Sequence, residues 1–318
     1  MKNKQLNLTS GPILSTLTEL ALPIMASSFL ATAYNITDMA WIGMLGSKAV
    51  AGVGVGGMYV WLSQGLCSLS RMGGQVNMAQ ALGRKDREAS IRYADVALQL
   101  TILFGLFFTA LCLLFTDPLL HFFNLTDPEA YASARVYMLI TCGLILLPYL
   151  TQTLTGLYTA QGDSKTPLKA NFLGLVLNMV LDPVLILGVG PFPRLEVVGA
   201  AAATVTSQFL VLAVLVVSLV KDHSETNILR HSNPLRRSAS SYYKDVFRIG
   251  IPTALQGSIY CLISMILTRM VSGFGAGAIA VQRVGGQIES LSWNTADGFG
   301  DHCSLCIDPR PYFLPVFP

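Results

Sequence analysis

The feature that most constrains this chain is a series of long apolar runs. Most of them reach about 20 residues, the length of helix that crosses the hydrocarbon core of a bilayer. Only 12% of the 318 residues are charged, 52% are hydrophobic, and the mean hydropathy is +0.54. A soluble domain has about 25% charged residues. The chain is therefore predicted to be an all-α, polytopic membrane protein, since helices satisfy their backbone hydrogen bonds internally in lipid.

Eight membrane-spanning helices are predicted from the ends of the apolar runs. The first run is too long for a cleavable signal peptide and lacks a small-residue cleavage site, so no such peptide is expected. The predicted spans are Ser15–Gly43, Ala49–Gly73, Val96–Phe115, Val136–Tyr158, Pro167–Gly188, Val198–Val220, Ile249–Gly273 and Ala276–Gly300.

Basic residues are distributed unevenly between the two sets of connections. The N-terminus and the connections after spans two, four and six contain most of the Lys and Arg near the membrane, whereas the other connections contain only Lys48, Arg135 and Arg194. Lys and Arg in short loops favour the cytoplasmic side. The N-terminus is therefore predicted to be cytoplasmic, in a multi-pass protein of the cell membrane.

An internal repeat relates the first span to the seventh without gaps. Six spans separate the two copies, so they share one orientation, as in the parallel repeats of transporters. A shift of 229 residues aligns Pro23 with Pro252, Gly46 with Gly275, Ala49 with Ala278, and Ala51 with Ala280. The predicted domains are a six-helix lobe at 1–220, a cytoplasmic linker at 221–247, and the first two helices of a second, parallel-repeat lobe at 248–300.

Residues 301–318 differ in character from the rest of the chain. They contain four prolines, two cysteines and no helical pattern. A second unit as long as the first would contain four further spans, so this tail is expected to result from a frameshift or a truncation. The segment with His302, Cys303 and Cys306 is a weak metal or redox motif, because a lone CxxC has no second pair.

A group of polar residues interrupts the apolar sequence of span five. Asn178 and Asp182 lie four residues apart and therefore share one helix face. Pro183 follows, and a proline inside a helix deprives the carbonyl of Met179 of its usual donor. A carboxylate inside a membrane costs at least a few kcal/mol, so it is kept mainly where it has partners, water or an ion. This combination suits a small cation or a proton.

Span one contains a second acid at matched depth. Asp38 lies fifteen residues after Pro23, as Asp182 does after Pro167, which places both about 22 Å from the side where their spans begin. On span six, Thr204 and Thr206 fall at comparable depth and can offer hydroxyls, and Tyr34 is one turn before Asp38. Two nearby buried carboxylates are rarely both ionised unless a cation neutralises them. The alternative is that each acid only forms a hydrogen bond to a neighbouring helix. Leu267 replaces Asp38 in the second copy, and an acid in only one repeat is easier to explain by function than by packing.

Other polar residues and prolines give weaker signals. Pro183, Pro23 and Pro148 are expected to bend helices. Gln152, Gln256 and Glu289 are candidates for a substrate path, although an interhelical amide contact explains the glutamines equally well. The sequence contains no nucleophile–base pair, HExxH motif, phosphate loop or nucleic-acid module. Neither an enzyme nor a nucleic-acid-binding protein is expected.

Several stretches resemble the multidrug and toxin extrusion (MATE) family, over about residues 11–300. The pattern GD-x-K-T-P followed by N-x-x-x-LDP is fairly specific. The matching stretches are LALPIMASSFLATAYNITDMAWIGMLG in span one, GGQVNMAQALGRKDREA after span two, YTAQGDSKTPLKANFLGLVLNMVLDPVLILG across spans four and five, IGIPTALQGSIYCLISMILTRMVSGFGAGAIA in span seven, and VGGQIESL in span eight.

This resemblance implies twelve helices in two lobes and a function as a monomeric antiporter in the lipid bilayer. Cationic, amphipathic drugs or toxins would be exported in exchange for Na⁺ or H⁺, with no other cofactor. Asp38, Asn178 and Asp182 match the family's cation-binding positions in the first lobe, and Thr204 or Thr206 matches a further hydroxyl ligand.

Three alternatives remain open at this point. A fragment unable to transport is the most serious, because the repeat is incomplete and alternating access needs two lobes. A flippase for lipid-linked precursors or polysaccharides would need a more cationic cavity than the few intramembrane Lys and Arg suggest. An intramembrane enzyme would need a catalytic set, and none is visible.

Overall fold

The computed structural model describes residue 33 and residues 36–189, 193–222, 227–286 and 288–289. Within these ranges the chain is helical and has no β-strand, which confirms the all-α prediction. The helices are α1 (36–43), α2 (Ser47–Gly83), α3 (Arg87–Leu114), α4 (Thr116–His121), α5 (Pro128–Gly143), α6 (Leu146–Ala160), α7 (Lys165–Leu187), α8 (Glu196–Lys221), α9 (Ser240–Ser272) and α10 (276–286).

Five of the described helices are long and apolar enough to cross a membrane: α2, α3, α7, α8 and α9. A sixth span results if α5 and α6 are counted as one bent segment. Both α2 and α3 extend well past their predicted limits at Gly73 and Val96, because polar sequence continues the helices outside the hydrocarbon core. Asp86 separates them, and its carboxylate accepts the Ala89 amide at 3.0 Å as the N-cap of α3.

The predicted fourth span is divided into two helices. α5 ends at Gly143, α6 begins at Leu146, and their axes differ by 49°. Pro148 is the third residue of α6, where its missing N–H leaves no intrahelical acceptor unpaired. Pro183 lies instead within α7, which continues to Leu187.

The internal repeat is visible in the backbone. Both α1 and α9 end in the same turn, at residues 43 and 272, and the next helices begin at residues 47 and 276. Gly46 and Gly275 precede those helices with φ of +102° and +97°, a conformation that favours glycine. Equivalent positions of the two copies therefore have the same local structure, as a parallel repeat requires.

The central helix is α2, which packs against α3, α5, α6 and α9. Its contact with α9 depends on three glycines that we call the α2–α9 seam: Gly65, Gly73 and Gly250. A Cβ atom on Gly73 would lie 2.4 Å from the Val246 carbonyl oxygen, and one on Gly250 would lie 2.2 Å from that of Leu69. Larger side chains would force the two backbones apart.

The linker is shorter than the predicted 221–247, since α9 already begins at Ser240. Its described residues lie along α3. The Asn233 amide donates to the buried Asp95 carboxylate at 2.6 Å, and the Gln99 side chain donates to the Arg236 carbonyl at 2.7 Å. These contacts hold the connection between the two repeat units at one end of the helix bundle.

Candidate functional site

Three of the predicted site residues come together on α1 and α7. Asp38 is 8% exposed, and Asn178 and Asp182 are fully buried. The Asn178 amide donates to Asp182 Oδ1 at 3.1 Å, as their spacing of one helical turn allows. The Asp38 and Asp182 carboxyl groups lie close enough to interact electrostatically. We call this set, with Thr204, the acid cluster.

The oxygen atoms of the acid cluster are incompletely satisfied. Asp38 Oδ1, Asn178 Oδ1, Asp182 Oδ2 and Thr204 Oγ1 are buried and have no hydrogen-bond partner among the described residues. Buried polar atoms without partners are costly, and hard cations prefer carboxylate, amide and hydroxyl oxygens. The donor set therefore fits a cation such as Na⁺, or a proton shared between the carboxylates.

The side chains of the two threonine candidates lie on different faces of α8. Thr204 lines the central cavity, whereas Thr206 is exposed and does not. Two residues along a helix correspond to a rotation of about 200°, so both hydroxyls cannot face one site. Tyr34 and Pro23 lie outside the described residues, and so does the 301–318 tail with its CxxC segment.

Apolar side chains enclose one end of the acid cluster. Ile42, Val50, Val53, Ile186 and Val197 form a buried group together with Tyr137 of α5. The Tyr137 ring is 9% exposed and lines the same cavity as Asp38. An apolar environment of low dielectric constant strengthens every charge interaction inside it.

A central cavity of about 1060 Å³ opens beside the acid cluster. Asp38 and Thr204 line it, while Asn178 and Asp182 lie behind them. Of the two aspartates, Asp38 is therefore the one that a molecule in the cavity can contact. The volume is at the upper end of the range for drug-sized ligands.

Not all of the residues predicted to line a substrate path lie at this cavity. Gln152 and Glu289 line it. Gln256 does not: it is exposed, one turn before Tyr260, where the cavity-lining face of α9 begins. The Leu267 counterpart of Asp38 also lines the cavity, so the repeat presents an acid on one side and an apolar residue on the other.

The cavity contains charged residues that sequence reasoning did not assign to it. Arg71 of α2 and Arg283 of α10 both line it. Arg283 packs against α2, with its Cγ 2.8 Å from the position of a Cβ on Gly54. The argument against a flippase, that intramembrane Lys and Arg are few, is weaker for this reason.

A polar stripe could have revealed part of this lining from the sequence. Tyr137, Thr141, Pro148, Thr151 and Thr155 follow one another at intervals of three, four or seven residues, and all line the cavity. This periodicity marks one helix face. It continues across the bend between α5 and α6.

Comparisons with known proteins agree with this architecture. The family model described as MatE matches residues 23–184. The probable multidrug resistance protein NorM of Thermotoga maritima is 30% identical over 89% of this chain and 60% of its own length. The FAD transporter of Shewanella oneidensis is 26% identical over 92% of this chain and 63% of its own length. The chain thus spans about three fifths of the curated relatives it matches.

Solved structures show the same fold. The crystal structure of a MATE protein in the straight conformation superimposes with a TM-score of 0.80, at 24% identity, over 96% of this chain and 67% of that one. Members of the family are transporters rather than enzymes. Because the family model covers half of the sequence and the helices follow the same arrangement, the chain belongs to the MATE family of membrane transporters.

Proposed function

We propose that the chain forms the first lobe and the start of the second lobe of an antiporter that exchanges Na⁺ or H⁺ for organic compounds leaving the cell. The observation that carries this proposal is the acid cluster. Four buried oxygens have no described partner, and two of them, on Asp38 and Thr204, belong to residues that line a cavity large enough for a drug-sized molecule. A buried site of this kind is costly unless it holds a positive charge.

Asp38 links the coupling site to the cavity. A cation shared by Asp38 and Asp182 would neutralise both carboxylates and complete its shell with the Asn178 and Thr204 oxygens. When the cation leaves, two facing carboxylates remain, and either a proton or a positively charged cargo group relieves their repulsion. Exchange of one positive species for another follows from that competition.

The cargo is inferred in outline from relatives and from the lining. Several relatives are named probable multidrug resistance proteins, and one is named an FAD transporter. Asp38 and Glu289 give the cavity carboxylates that suit the cationic, amphipathic compounds expected from the family resemblance. The protein would work as a monomer in the cell membrane, with the N-terminus and the linker on the cytoplasmic side.

Asp38→Asn tests the coupling site directly. The change keeps the size of the side chain and one acceptor oxygen but removes the negative charge, so Na⁺ should no longer stabilise the protein. We expect NaCl to raise the melting temperature of the purified wild-type chain relative to choline chloride at equal ionic strength, and to raise it little or not at all in Asp38→Asn. Glu88→Gln, at the exposed start of α3, is the matched control.

A second readout covers the proton. If Na⁺ has no effect on the wild type, lowering the pH from 8 to 6 should stabilise the wild type and not Asp38→Asn. The proposal is wrong if neither cation distinguishes the two proteins. Export of ethidium by cells producing the chain then tests transport separately from binding.

A further inference from the structure

The side chain of Arg71 lies at the far end of the central cavity from the acid cluster. It follows Val53, which borders the acid cluster, by eighteen residues along α2, or about 27 Å. Its stem packs against α6, with Cγ 3.1 Å from the position of a Cβ on Gly156. The absence of a side chain at Gly156 is what leaves room for the arginine.

Arg71 carries an unpaired charge there. Its Nε is buried and has no hydrogen-bond partner in the described part of the chain, and no described carboxylate forms an ion pair with it. Among the described residues, the acids that line the cavity are Asp38, in the distant acid cluster, and Glu289, beyond the end of α10. A partly buried guanidinium whose Nε has no partner is costly unless something binds it.

Two polar side chains of α6 also line the cavity. One lacks a hydrogen-bond partner, and the other offers hydrogen-bond donors. Thr151 is only 4% exposed and lines the cavity, and its Oγ1 has no partner among the described residues. Gln152 lines the cavity one residue on, and its amide oxygen faces the Cys67 thiol at 3.9 Å. Its amide N–H groups are therefore directed away from Cys67, which precedes Arg71 by one turn.

We infer that Arg71, Thr151 and Gln152 bind an anionic group of the cargo, a phosphate or a carboxylate. A guanidinium presents N–H donors in a planar fork that matches two oxygens of either group. The Thr151 hydroxyl and the Gln152 amide add donors from the facing helix.

This inference rests on the proposed function only in taking the cavity as the cargo site. It adds that the cargo is anionic or zwitterionic, rather than simply cationic. The distance along α2 separates this anion subsite from the coupling site, so one small anion cannot occupy both.

Flavin mononucleotide and riboflavin provide the test, because they differ only in a phosphate. Binding is measured by flavin fluorescence with the full chain in nanodiscs of phosphatidylcholine. The wild type is expected to bind flavin mononucleotide about tenfold or more tightly than riboflavin, as charge-assisted hydrogen bonds would give. Arg71→Gln should bring the two affinities within about twofold, and Arg71→Lys should retain part of the preference.

Arg84→Gln is the control, since Arg84 is exposed at the end of the same helix and its loss should leave the preference intact. Equal affinities in the wild type, or a preference that survives in Arg71→Gln, would overturn the inference. If nanodiscs containing phosphatidylglycerol abolish the wild-type preference, the site holds a lipid headgroup instead of cargo, which also overturns it. The flavin preference is measured without Na⁺, whereas the coupling proposal is tested by the Na⁺-dependent melting temperature, so failure of one can be told apart from failure of the other.

Discussion

Asp182 depends on few neighbours for a fully buried acid. Among the described residues it accepts one hydrogen bond, from Asn178, while its other oxygen has none. Leaving a buried charged acceptor unsatisfied costs at least about 1–3 kcal/mol. Under the proposed function, a bound cation or proton removes this cost. The acid cluster is therefore expected to be the part of the protein whose stability responds most to ions.

Thr204 and Thr206 form a matched pair for testing which hydroxyl joins that cluster. Thr204→Ala removes one of four oxygens and should weaken Na⁺ binding by roughly fivefold, which corresponds to about 1 kcal/mol. Thr206→Ala should leave Na⁺ binding unchanged, because that side chain is exposed away from the cavity. Titration of the Na⁺-dependent rise in melting temperature measures both. Equal losses in the two variants would place the coupling site elsewhere.

At this scale, sequence reasoning predicts which residues share a helix face but not how each helix is rotated in the bundle. Spacing alone puts Asn178 one turn from Asp182, and the structure contains their hydrogen bond. Choosing between Thr204 and Thr206 required the rotation of α8, which depends on how α8 packs against α7. Tyr137 was missed because its role appears only when α5 is brought beside α1 and α7.

At the scale of helices, the α2–α9 seam requires glycine where the backbones of the two helices are in contact. In α9, Gly250 is buried against the Leu69 carbonyl, whereas a Cβ on Gly257 would meet nothing closer than 3.9 Å. Gly257→Ala should stabilise the protein by about 0.5–1 kcal/mol through helix propensity. Gly250→Ala should destabilise it by about 1–3 kcal/mol, because the backbones must separate.

Thermal unfolding of the two glycine variants in the same detergent provides the measurement. Both substitutions add one methyl group to the same helix, so intrinsic helix propensity is matched between them. A rise in melting temperature for both would show that α2 and α9 are not held in close contact.

The presence of these helices was predictable from the sequence, whereas the residues at which they begin and end were less predictable. Long apolar runs predict α7 and α8 closely, since lipid permits little else. The division between α5 and α6 was not predicted, because Pro148 can either kink a helix or begin one. The early start of α9 at Ser240 was missed because the polar residues there gave no apolar pattern.

At the scale of the whole molecule, the alternation of connections fixes which segments share a side. Lys85, between α2 and α3, should be cytoplasmic, and Glu129, at the start of α5, should be external. In a chain with Cys303 and Cys306 changed to Ser, a membrane-impermeant maleimide should label Glu129→Cys in intact cells and Lys85→Cys only after permeabilisation. Background labelling should be low, because the described cysteines are buried. The reverse pattern would invert the proposed orientation.

The repeat was readable from sequence, but the charge of the cavity was not. Shared glycines and prolines at one spacing predicted matching turns, and the turns at Gly46 and Gly275 match. Sequence reasoning did not assign Arg71 or Arg283 to the cavity. Their position in the cavity depends on contacts between segments more than 80 residues apart, such as Arg71 with Gly156, which local patterns do not contain.

One contact between the repeats has a consequence for how such a protein can evolve. Arg283 occupies in the second copy the position that Gly54 occupies in the first, and its side chain packs directly on that glycine. A residue that touches its own duplicate lies near the pseudo-two-fold axis, where space exists for one large side chain only. After the ancestral duplication, these two positions could not both have kept a bulky residue. A large charged side chain can therefore be present in only one of the two copies, so the charge that Arg283 brings to the cavity has no counterpart in the first repeat.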